Sequence, residues 1–442
     1  MSFSSRFSAL LSSVLLFAAG ATSAQESWPS WRGPDGTGAV AQALPTAWSA
    51  EQGVTWSAEL PGRGISTPIL WNERLYVTTA VALEATPEPG ERGEFHGGGG
   101  PQPPHSFQVR CLGAADGKTL WTTELCRATP HEGYHRTYGS HASAAPTTDG
   151  ERLYVTLGSR GVYALDLETG KPLWTRDLEV ELTMRRQFGE GTAPVVAGKH
   201  LVLNNDQEGP SFLCVLDAET GEERWRVARD EPSTWATPLV TEVDGVRQVI
   251  VSGTNRVRAY DLLDGRLIWE CGGLGLNAIP NPLRVDDFVV CMSGYRDPQI
   301  LAIRLGGEGD LTDTDAVLWK SAKGSSYTPS PVRVARDLYC LTDRGFLSAF
   351  ALQSGTPHYL EERLPRGLIY KASPLASIAG ERLYLLAETG EMVQVALGTD
   401  FEVVEEVPSL ARSEEEMFIA SPIAHDGALF LRSTERLLRI DG

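Results

Sequence analysis

The stretch AAPTTDGERLYVTLGSRGVYALDLETGKPLW, residues 144–174, decides the fold. It divides into four short segments with the residue content of β-strands, and glycine-containing turns separate them. Pro146 opens the first segment, which suits a residue that cannot donate a backbone hydrogen bond in mid-strand. Trp174 lies in the fourth segment. Such a unit forms a four-stranded antiparallel sheet, which cannot bury both of its faces without neighbours.

The same unit recurs along the chain. Asp166, Gly170 and Trp174 define a spacing that returns from Asp217 to Trp225 and from Asp261 to Trp269. A variant ends at Trp121, and looser copies end at Trp319 and Tyr359. Prolines mark the start of each unit, at Pro68, Pro146, Pro194, Pro238, Pro282, Pro331, Pro374 and Pro422. The spacing therefore indicates eight units, with one large insertion in the first.

The two ends of the repeat region complement each other. The last unit stops after its third strand at residue 441, whereas residues 54–60 have a fourth-strand pattern with no strands before them. Joining them closes a ring and removes the exposed sheet edges of an open array. The sequence therefore predicts an all-β protein, an eight-bladed β-propeller of four-stranded antiparallel blades. Residues 54–442 form the ring, and the N-terminal strand completes its last blade.

The N-terminal segment has the parts of an export signal. Arg6 precedes the apolar run 7–19, and small residues follow at 22–24. The run is too short to be a membrane-spanning anchor. We therefore expect residues 1–24 to be a signal peptide and the mature protein to be periplasmic or secreted, without a transmembrane anchor. The pattern gives no indication of oligomerisation, so we expect a monomer.

Charge and cysteine content narrow the function classes further. The formal net charge is −18, and so acidic a surface repels phosphate backbones, which argues against a nucleic-acid partner. The six cysteines form no Cys-x-x-Cys pair. Most are expected to be buried small hydrophobic residues. Cys111 and Cys126 flank one fourth strand, where a disulfide is an alternative in an oxidising compartment.

Two segments fall outside the repeats. Residues 25–53 form an N-terminal arm, which begins with Trp28-Pro-Ser-Trp31-Arg32-Gly33 and is expected to pack against the outer propeller. Residues 80–105 form an insertion in blade 1, rich in proline and glycine, which is expected to be flexible.

One string resembles a metal-binding motif. Residues 131–135, HEGYH, match H-E-x-x-H, which binds zinc when a helix places both histidines on one face. Pro130 and Gly133 disfavour a helix here. The sequence therefore predicts no metal site, and His131, His135 and His141 remain weak candidates beside the alternative of hydrogen-bonded loop histidines.

The repeated frame from Ala164 to Trp174 resembles that of the quinoprotein alcohol dehydrogenase-like propellers. These include dehydrogenases that use pyrroloquinoline quinone (PQQ) and the propeller lipoprotein of the outer-membrane β-barrel assembly machinery. The opening Trp28–Gly38 is similar to the start of a group of exported bacterial propellers of this PQQ-like repeat class. The resemblance implies the fold more specifically than it implies a function.

Two functions follow from the resemblance. The first is a non-catalytic binding or scaffold propeller, with no cofactor and with an unknown protein or anionic small molecule as its partner. The alternative is an oxidoreductase similar to the PQQ- and calcium-dependent alcohol dehydrogenases. Departures from that pattern are the lack of adjacent cysteines and of a Cys-x-x-Cys-His haem site. The first function is the better supported, and no catalytic residue is assigned.

Propeller geometry predicts where a ligand would bind. Residues just before successive first strands converge on the central axis, and they are Arg63, His141, Arg186, Trp235, Asn277, Tyr327 and Lys371. The connections between second and third strands add Arg160, Asp206, Asn255, Arg296 and Arg344. These cations in an acidic protein suggest a positive funnel mouth, although pairing with nearby carboxylates is the alternative. The tryptophans expected to dock one blade on the next are Trp56, Trp121, Trp174, Trp225, Trp269 and Trp319.

Overall fold

Eight sheets form the structure, each built on four antiparallel strands that follow one another from the inside outward, and two of the sheets carry an additional short parallel strand. This computed structural model describes residues 27–84 and 102–442. The predicted signal peptide and residues 85–101 of the predicted insertion lie outside the described residues. No helix in the described part of the chain is long and apolar enough to cross a membrane.

Two strands precede the first blade, and blades 1 to 4 follow in chain order. The N-terminal strands are β1 (Ala39–Val40) and β2 (Val54–Glu59). Blade 1 has β3 (Ile69–Trp71), β4 (Arg74–Ala82), β5 (His105–Gly113) and β6 (Thr119–Ala128). Blade 2 has β7 (Thr147–Thr148), β8 (Arg152–Thr156), β9 (Val162–Asp166) and β10 (Pro172–Arg176). Blade 3 has β11 (Val195–Ala197), β12 (His200–Asn205), β13 (Ser211–Asp217) and β14 (Glu223–Arg229). Blade 4 has β15 (Leu239–Val243), β16 (Val246–Val251), β17 (Arg256–Asp261) and β18 (Leu267–Gly272).

Blades 5 to 8 repeat the arrangement. Blade 5 has β19 (Leu283–Val285), β20 (Phe288–Ser293), β21 (Gln299–Arg304) and β23 (Val317–Ser321), and β22 (Gly309–Asp310) precedes its last strand. Blade 6 has β24 (Val332–Val334), β25 (Asp337–Leu341), β26 (Phe346–Ala351) and β27 (Thr356–Arg363). Blade 7 has β28 (Leu375–Ser377), β29 (Arg382–Leu386), β30 (Met392–Ala396) and β31 (Val403–Val407). Blade 8 has β32 (Ile423–His425), β33 (Ala428–Arg432) and β34 (Arg436–Ile440). Two short 3-10 turns lie at Gly158–Arg160 and Arg185–Gln187.

The predicted eight-bladed propeller is confirmed, including its closure. β2 pairs antiparallel with β34, so that Val54 lies opposite Ile440 and Glu59 opposite Arg436. Each inner strand begins directly after one of the eight prolines, as the restriction of proline to strand starts requires. Apolar clusters fill the space between neighbouring blades, for example where Tyr154 of blade 2 packs with Leu201 of blade 3. The ring is thus held by the burial of apolar surface between sheets.

Four of the tryptophans connect their blade to the next in one way. The indole nitrogen of Trp174 donates to the carbonyl oxygen of Ala218 at 3.1 Å, and its ring lies against the turn glycine Gly221. The same two contacts join Trp56 to blade 1, Trp225 to blade 4 and Trp319 to blade 6. Because a glycine has no Cβ, the ring can approach the turn backbone closely.

Trp121 and Trp269 depart from this arrangement. The ring of Trp121 lies on Gly170, but its indole nitrogen has no hydrogen-bond partner, since the carbonyl oxygen of Leu167 accepts instead from the hydroxyl of Tyr76. Trp269 is fully buried and donates to Gln248 of its own blade. β22 pairs in parallel with its strand, at the outer edge of blade 4. Trp269 therefore does not form the contact with a turn glycine that we expected of a docking tryptophan.

The N-terminal arm crosses the centre of the ring, in contrast to the expected packing on its outside. Trp28 forms a bridge with Leu70 of blade 1, and Pro29 accepts a hydrogen bond from the backbone nitrogen of Thr148 in blade 2. Further along the arm, β1 pairs with β28 of blade 7. Between them, the buried guanidinium of Arg32 donates to the carbonyl oxygens of Pro374 at 2.9 Å and Pro331 at 3.1 Å. The arm therefore ties blades 1, 6 and 7 together across the axis.

The insertion and the cysteines also differ from expectation. β4 continues to Ala82 and β5 begins at His105, so the connection is shorter at both ends than the predicted range 80–105. All six cysteines are free. In the register of blade 1, Cys111 lies opposite Trp121 and Cys126 lies opposite Phe107, so these two cysteines occupy different levels of the sheet and do not form a disulfide.

Candidate functional site

Two faces of the propeller differ in their connections. The connections from a fourth strand to the next first strand, and from second to third strands, form what we call the open face. The tighter turns form the turn face. The arm covers the turn face, where Gln42 accepts a hydrogen bond from the backbone nitrogen of Gly427 in a turn of blade 8. The channel is therefore covered on the turn face.

A cavity of about 170 Å³ lies on the axis, above the arm. Trp31 of the arm contributes to its wall, together with residues from all eight blades. One residue from each blade, in order, is Ile65, Ser143, Gly191, Trp235, Ile279, Tyr327, Lys371 and Ile419. Their common position, just before an inner strand, is what brings them together. We call this space the axial cavity.

Aromatic side chains contribute much of the wall of the axial cavity. Trp31, Tyr138, Phe188, Trp235 and Tyr327 all line it. The indole nitrogen of Trp235 donates to the carbonyl oxygen of Gly189 at 2.8 Å, which fixes the ring plane. Tyr327 stacks on Tyr295, with ring centroids 5.4 Å apart. The cavity thus offers rigid apolar surface with a few polar groups, as small-ligand and side-chain binding sites do.

Lys371 is the one lysine or arginine among the residues that line the axial cavity in the described chain. Its ammonium group forms an ion pair with Asp343 and lies 4.2 Å from the ring centroid of Tyr138. Glu190 also lines the cavity, and burial raises the pKa of its carboxyl group. The charges of the cavity wall are therefore few, and the cationic one is already paired.

Three of the predicted funnel residues, Trp235, Tyr327 and Lys371, meet at the axial cavity. A fourth, Asn277, is buried behind them, and its amide nitrogen lies 3.4 Å from the hydroxyl of Tyr327. Asn277 has a φ of 57°, in the left-handed region that asparagine tolerates. Burial raises the pKa of the Tyr327 phenol, so that group stays protonated at neutral pH.

Other predicted residues support loops or neighbouring strands. The guanidinium of Arg63 donates to the carbonyl oxygens of Gly139 and Thr137. Arg160 bonds to the carbonyl oxygen of Thr129 and forms an ion pair with Glu181. These two arginines follow the alternative that we considered, in which the cations hold the loops.

Asp206 and Asn255 are also committed to contacts within the fold. Asp206 is fully buried and forms an ion pair with Arg229 at 2.7 Å, and it accepts a hydrogen bond from the hydroxyl of Thr234. The side chain of Asn255 donates to the carbonyl oxygen of Asp230. Asp206 in particular is not among the residues that line the axial cavity.

Three arginines remain exposed on the open face: Arg186, Arg296 and Arg344. Among the described residues, Arg186 and Arg344 have neither a hydrogen bond nor an ion pair from their side chains, whereas Arg296 lies over the ring of Tyr295 at 5.3 Å. Exposed guanidinium groups are available to carboxylates of a partner. They are the cations of the open face that the fold does not itself use.

The H-E-x-x-H string forms an irregular loop, so its two histidines do not share a helix face. The ring nitrogen Nε2 of His131 donates to the carbonyl oxygen of Leu182 at 2.8 Å, and Glu132 accepts from the backbone nitrogen of Met184. His135 stacks on Tyr138, while His141 packs edge-on against His105 and Tyr134. Within residues 27–84 and 102–442, no group of three or more His, Cys, Asp or Glu side chains is placed to hold a metal ion.

Sequence reasoning missed several residues of the axial cavity. Tyr138 and Phe188 lie a few residues before their inner strands, in loops without a repeated pattern. Trp31 belongs to the arm, which has no counterpart in the repeats. Tyr138 and Phe188 could have been predicted as cavity residues, because each lies in the connection that leads to an inner strand, upstream of Pro146 and Pro194 respectively. Trp31 does not precede an inner strand, so no such pattern identifies it.

Comparison with known proteins agrees with this architecture. The family model described as outer membrane protein assembly factor BamB matches residues 105–358. The protein of that name from Yersinia pestis is 25% identical over 225 residues, which cover 49% of this chain and 52% of that protein. A polyvinylalcohol dehydrogenase from a Sphingopyxis strain is 31% identical over 146 residues, covering 30% of this chain and 19% of the enzyme. The chain thus spans about half, or less, of the length of these curated relatives.

Solved structures show the same fold. The crystal structure of BamB from Moraxella catarrhalis superposes with a TM-score of 0.58 at 15% identity, covering 88% of this chain and 99% of that one. A quinohemoprotein alcohol dehydrogenase from Comamonas testosteroni superposes with a TM-score of 0.57 at 12% identity, covering 94% and 80%. At these identities the likeness concerns the fold alone.

Proposed function

Because the chain belongs to the family described as outer membrane protein assembly factor BamB, we propose that it is a non-catalytic binding propeller that engages a partner protein through its open face. The observation that carries the proposal is the axial cavity, which is walled by residues of all eight blades and covered on the turn face by the arm. A partner can therefore enter from one side only. The function we propose is a scaffold role in an exported compartment, in outer-membrane protein assembly.

The partner surface is inferred from what the open face offers. The axial cavity presents Trp235, Tyr327 and Phe188 to an apolar side chain, and aromatic anchors in a pocket carry much of the energy of protein interfaces. Around it, Arg186, Arg296 and Arg344 are exposed. We infer that the partner segment inserts an apolar side chain and carries acidic residues beside it. This keeps the anionic partner expected from the sequence, with three of the predicted arginines contacting it.

The residues present do not fit the quinone of the dehydrogenase relatives. That quinone is a tricarboxylate, and the axial cavity offers one cation, Lys371, which is already paired with Asp343. Glu190 lies in the same wall and would repel a further carboxylate. For calcium, which takes six to eight oxygen ligands, the described residues provide no cluster of three acidic side chains. This supports a binding role over quinone catalysis.

Site-specific crosslinking tests the proposal. A photoreactive amino acid replaces Arg344 on the open face of the full chain, or Glu222 in a turn of the turn face as the matched control. We expect a specific protein adduct from position 344 in exporting cells and none from position 222. Adding Arg186→Ala should reduce the adduct severalfold, without changing thermal melting.

Two outcomes would overturn the binding role. Equal adducts from both positions would show that the open face is not selective. Reduction of a dye by purified protein, dependent on both added quinone and calcium and lost in Trp235→Ala, would establish the oxidoreductase alternative.

A further inference from the structure

A second cavity, of about 60 Å³, adjoins the axial cavity between blades 2 and 3, and the walls of the two share Ser143, Gly189, Glu190 and Gly191. We call it the side cavity. It is bounded by the loop 130–133, the approach to the first strand of blade 2, the short turn Gly158–Arg160, and the end of β12. At about 10–15 Å³ for each water molecule, it has room for a few waters or for one small polar group.

Two carboxylates line the side cavity, those of Glu132 and Glu190. Glu190 is held by the backbone nitrogen of Ser159 at 2.8 Å and by the hydroxyl of the same serine. Glu132 accepts a hydrogen bond from the backbone nitrogen of Met184 at 2.9 Å. Among the described residues, neither carboxylate forms an ion pair with a lysine, arginine or histidine. Burial raises the pKa of both groups, which is the expected response of an uncompensated buried acid.

An unpartnered acceptor lines the same cavity. Asn204 is 4% exposed, and its amide nitrogen faces Asp206 at 3.3 Å and Thr234 at 3.5 Å. Those contacts leave its carbonyl oxygen Oδ1, which has no hydrogen-bond partner. A buried acceptor without a partner costs about 1–3 kcal/mol. The side cavity therefore presents two carboxylates and an amide oxygen, all of which accept hydrogen bonds.

The other charged groups around the side cavity do not balance these acids. Asp206 is neutralised by Arg229, and the guanidinium of Arg160 is shared between Glu181 and His131. Burial and neighbouring positive charge lower the pKa of His141 to about 3, so its ring is neutral at pH 7. The missing complement is a compact cation that donates several hydrogen bonds.

We propose that the side cavity binds an alkylammonium group, which supplies one positive charge and three donors. The ammonium head of such a chain and its first one or two methylene groups match the cavity volume of about 60 Å³, and the rest of a longer chain would extend out of the cavity. The group could belong to a free primary amine or to a lysine side chain of a partner protein. Glu190 lines both cavities, but the proposal does not rest on the proposed function, and its test does not require the partner of that function.

Calorimetric titration of the full chain tests the proposal with defined probes. We use n-butylammonium as the free amine, Nα-acetyl-lysine N-methylamide as the lysine side chain, n-butanol as the neutral control and calcium as the competing cation. Glu132→Gln and Glu190→Gln remove one charge each and keep the acceptor oxygens. Glu222→Gln, at an exposed turn, is the matched control for net charge.

We expect n-butylammonium to bind with one-to-one stoichiometry, and each cavity variant to weaken binding tenfold or more, with no change in Glu222→Gln. Tighter binding of the lysine derivative than of butylammonium would identify a partner lysine as the source, and the reverse order would identify a free amine. Absence of binding by both amines, or equal binding of n-butanol, would overturn the proposal. So would calcium binding that is lost in the same two variants. The preference of the unmodified chain for the amine over the alcohol tests the proposal even where a variant fails to fold.

Discussion

The indole ring of Trp174 lies on the backbone of Gly221, the turn glycine of the next blade. A Cβ placed on Gly221 would stand 2.6 Å from Cε3 of Trp174, closer than such atoms approach in proteins. Gly221 also has a φ of +76°, in the region that favours glycine. Turn conformation and blade docking thus depend on the same residue.

Gly221→Ala is therefore expected to destabilise the protein by about 2–4 kcal/mol, from overpacking together with backbone strain. Gly245→Ala is the matched control, because Gly245 has a φ of +81° and no atom within 4 Å of its added Cβ. Urea titration of both variants separates the two causes. Equal losses in the two would mean that the contact with Trp174 contributes nothing.

Arg32→Lys should destabilise the protein although charge is conserved. The guanidinium spans the carbonyl oxygens of Pro331 and Pro374, and a lysine ammonium cannot reproduce that planar fork. A loss of about 1–3 kcal/mol is expected for the buried acceptors left unpaired. Arg186→Lys, at an exposed position, serves as the control. An unchanged midpoint of chemical unfolding for Arg32→Lys would show that the arm is not held by this residue.

Two truncations distinguish ring closure from the crossing of the arm. A chain that lacks residues 27–60 loses β2, and we expect its thermal unfolding to become broad and non-cooperative. A chain that lacks only residues 27–46 keeps β2, so it should still unfold cooperatively, at a lower temperature. Calorimetry measures both. If the longer deletion melts as sharply as the intact chain, β2 is dispensable for closure.

His141 should make the protein less stable in acid. Its pKa is lowered from 6.5 to about 3 by burial first, with His105, His131 and Arg160 adding to the effect. The unfolded chain therefore binds a proton that the folded chain does not, so stability falls as the pH drops from about 6.5 towards 3. The loss is at most about 5 kcal/mol. In His141→Gln, the free energy of unfolding should depend less steeply on pH within this window, and an identical slope would contradict the assignment.

The ring was predictable because its signals are local. A proline before each inner strand and a glycine in each turn restrict the backbone wherever they occur, so the eight openings from Pro68 to Pro422 could be counted directly. The pairing of β2 with β34 followed from the missing fourth strand of the last unit and from the fourth-strand pattern of residues 54–60, which has no first three strands before it. The match to the family confirms the resemblance that the repeated frame suggested.

The arm and the cavities depend on contacts that no local pattern encodes. Arg32 reaches carbonyl oxygens about 300 or more residues away, and nothing in the sequence around it names those partners. Asp206 and Lys371 were both predicted to line the funnel and contact a ligand. In the structure, each forms an ion pair within the fold, Asp206 with Arg229 and Lys371 with Asp343. The position of a residue just before an inner strand predicts that it approaches the axis. Whether its side chain is available to a ligand depends on the ion pairs and hydrogen bonds that it forms within the fold.

The closure of blade 8 by β2 has a consequence for how the chain folds. Thr55 bonds to Asp441 across 386 residues, so β2, which is synthesised early, finds its partner β34 only when the last strand has been made. Until then, β2 and the outer edge of β34 are unpaired strands that can pair wrongly with other chains. Closing so long a loop is slow. Folding of this protein should therefore finish only after the whole ring region has been released, and the time before closure is when mispairing of these strands is most probable.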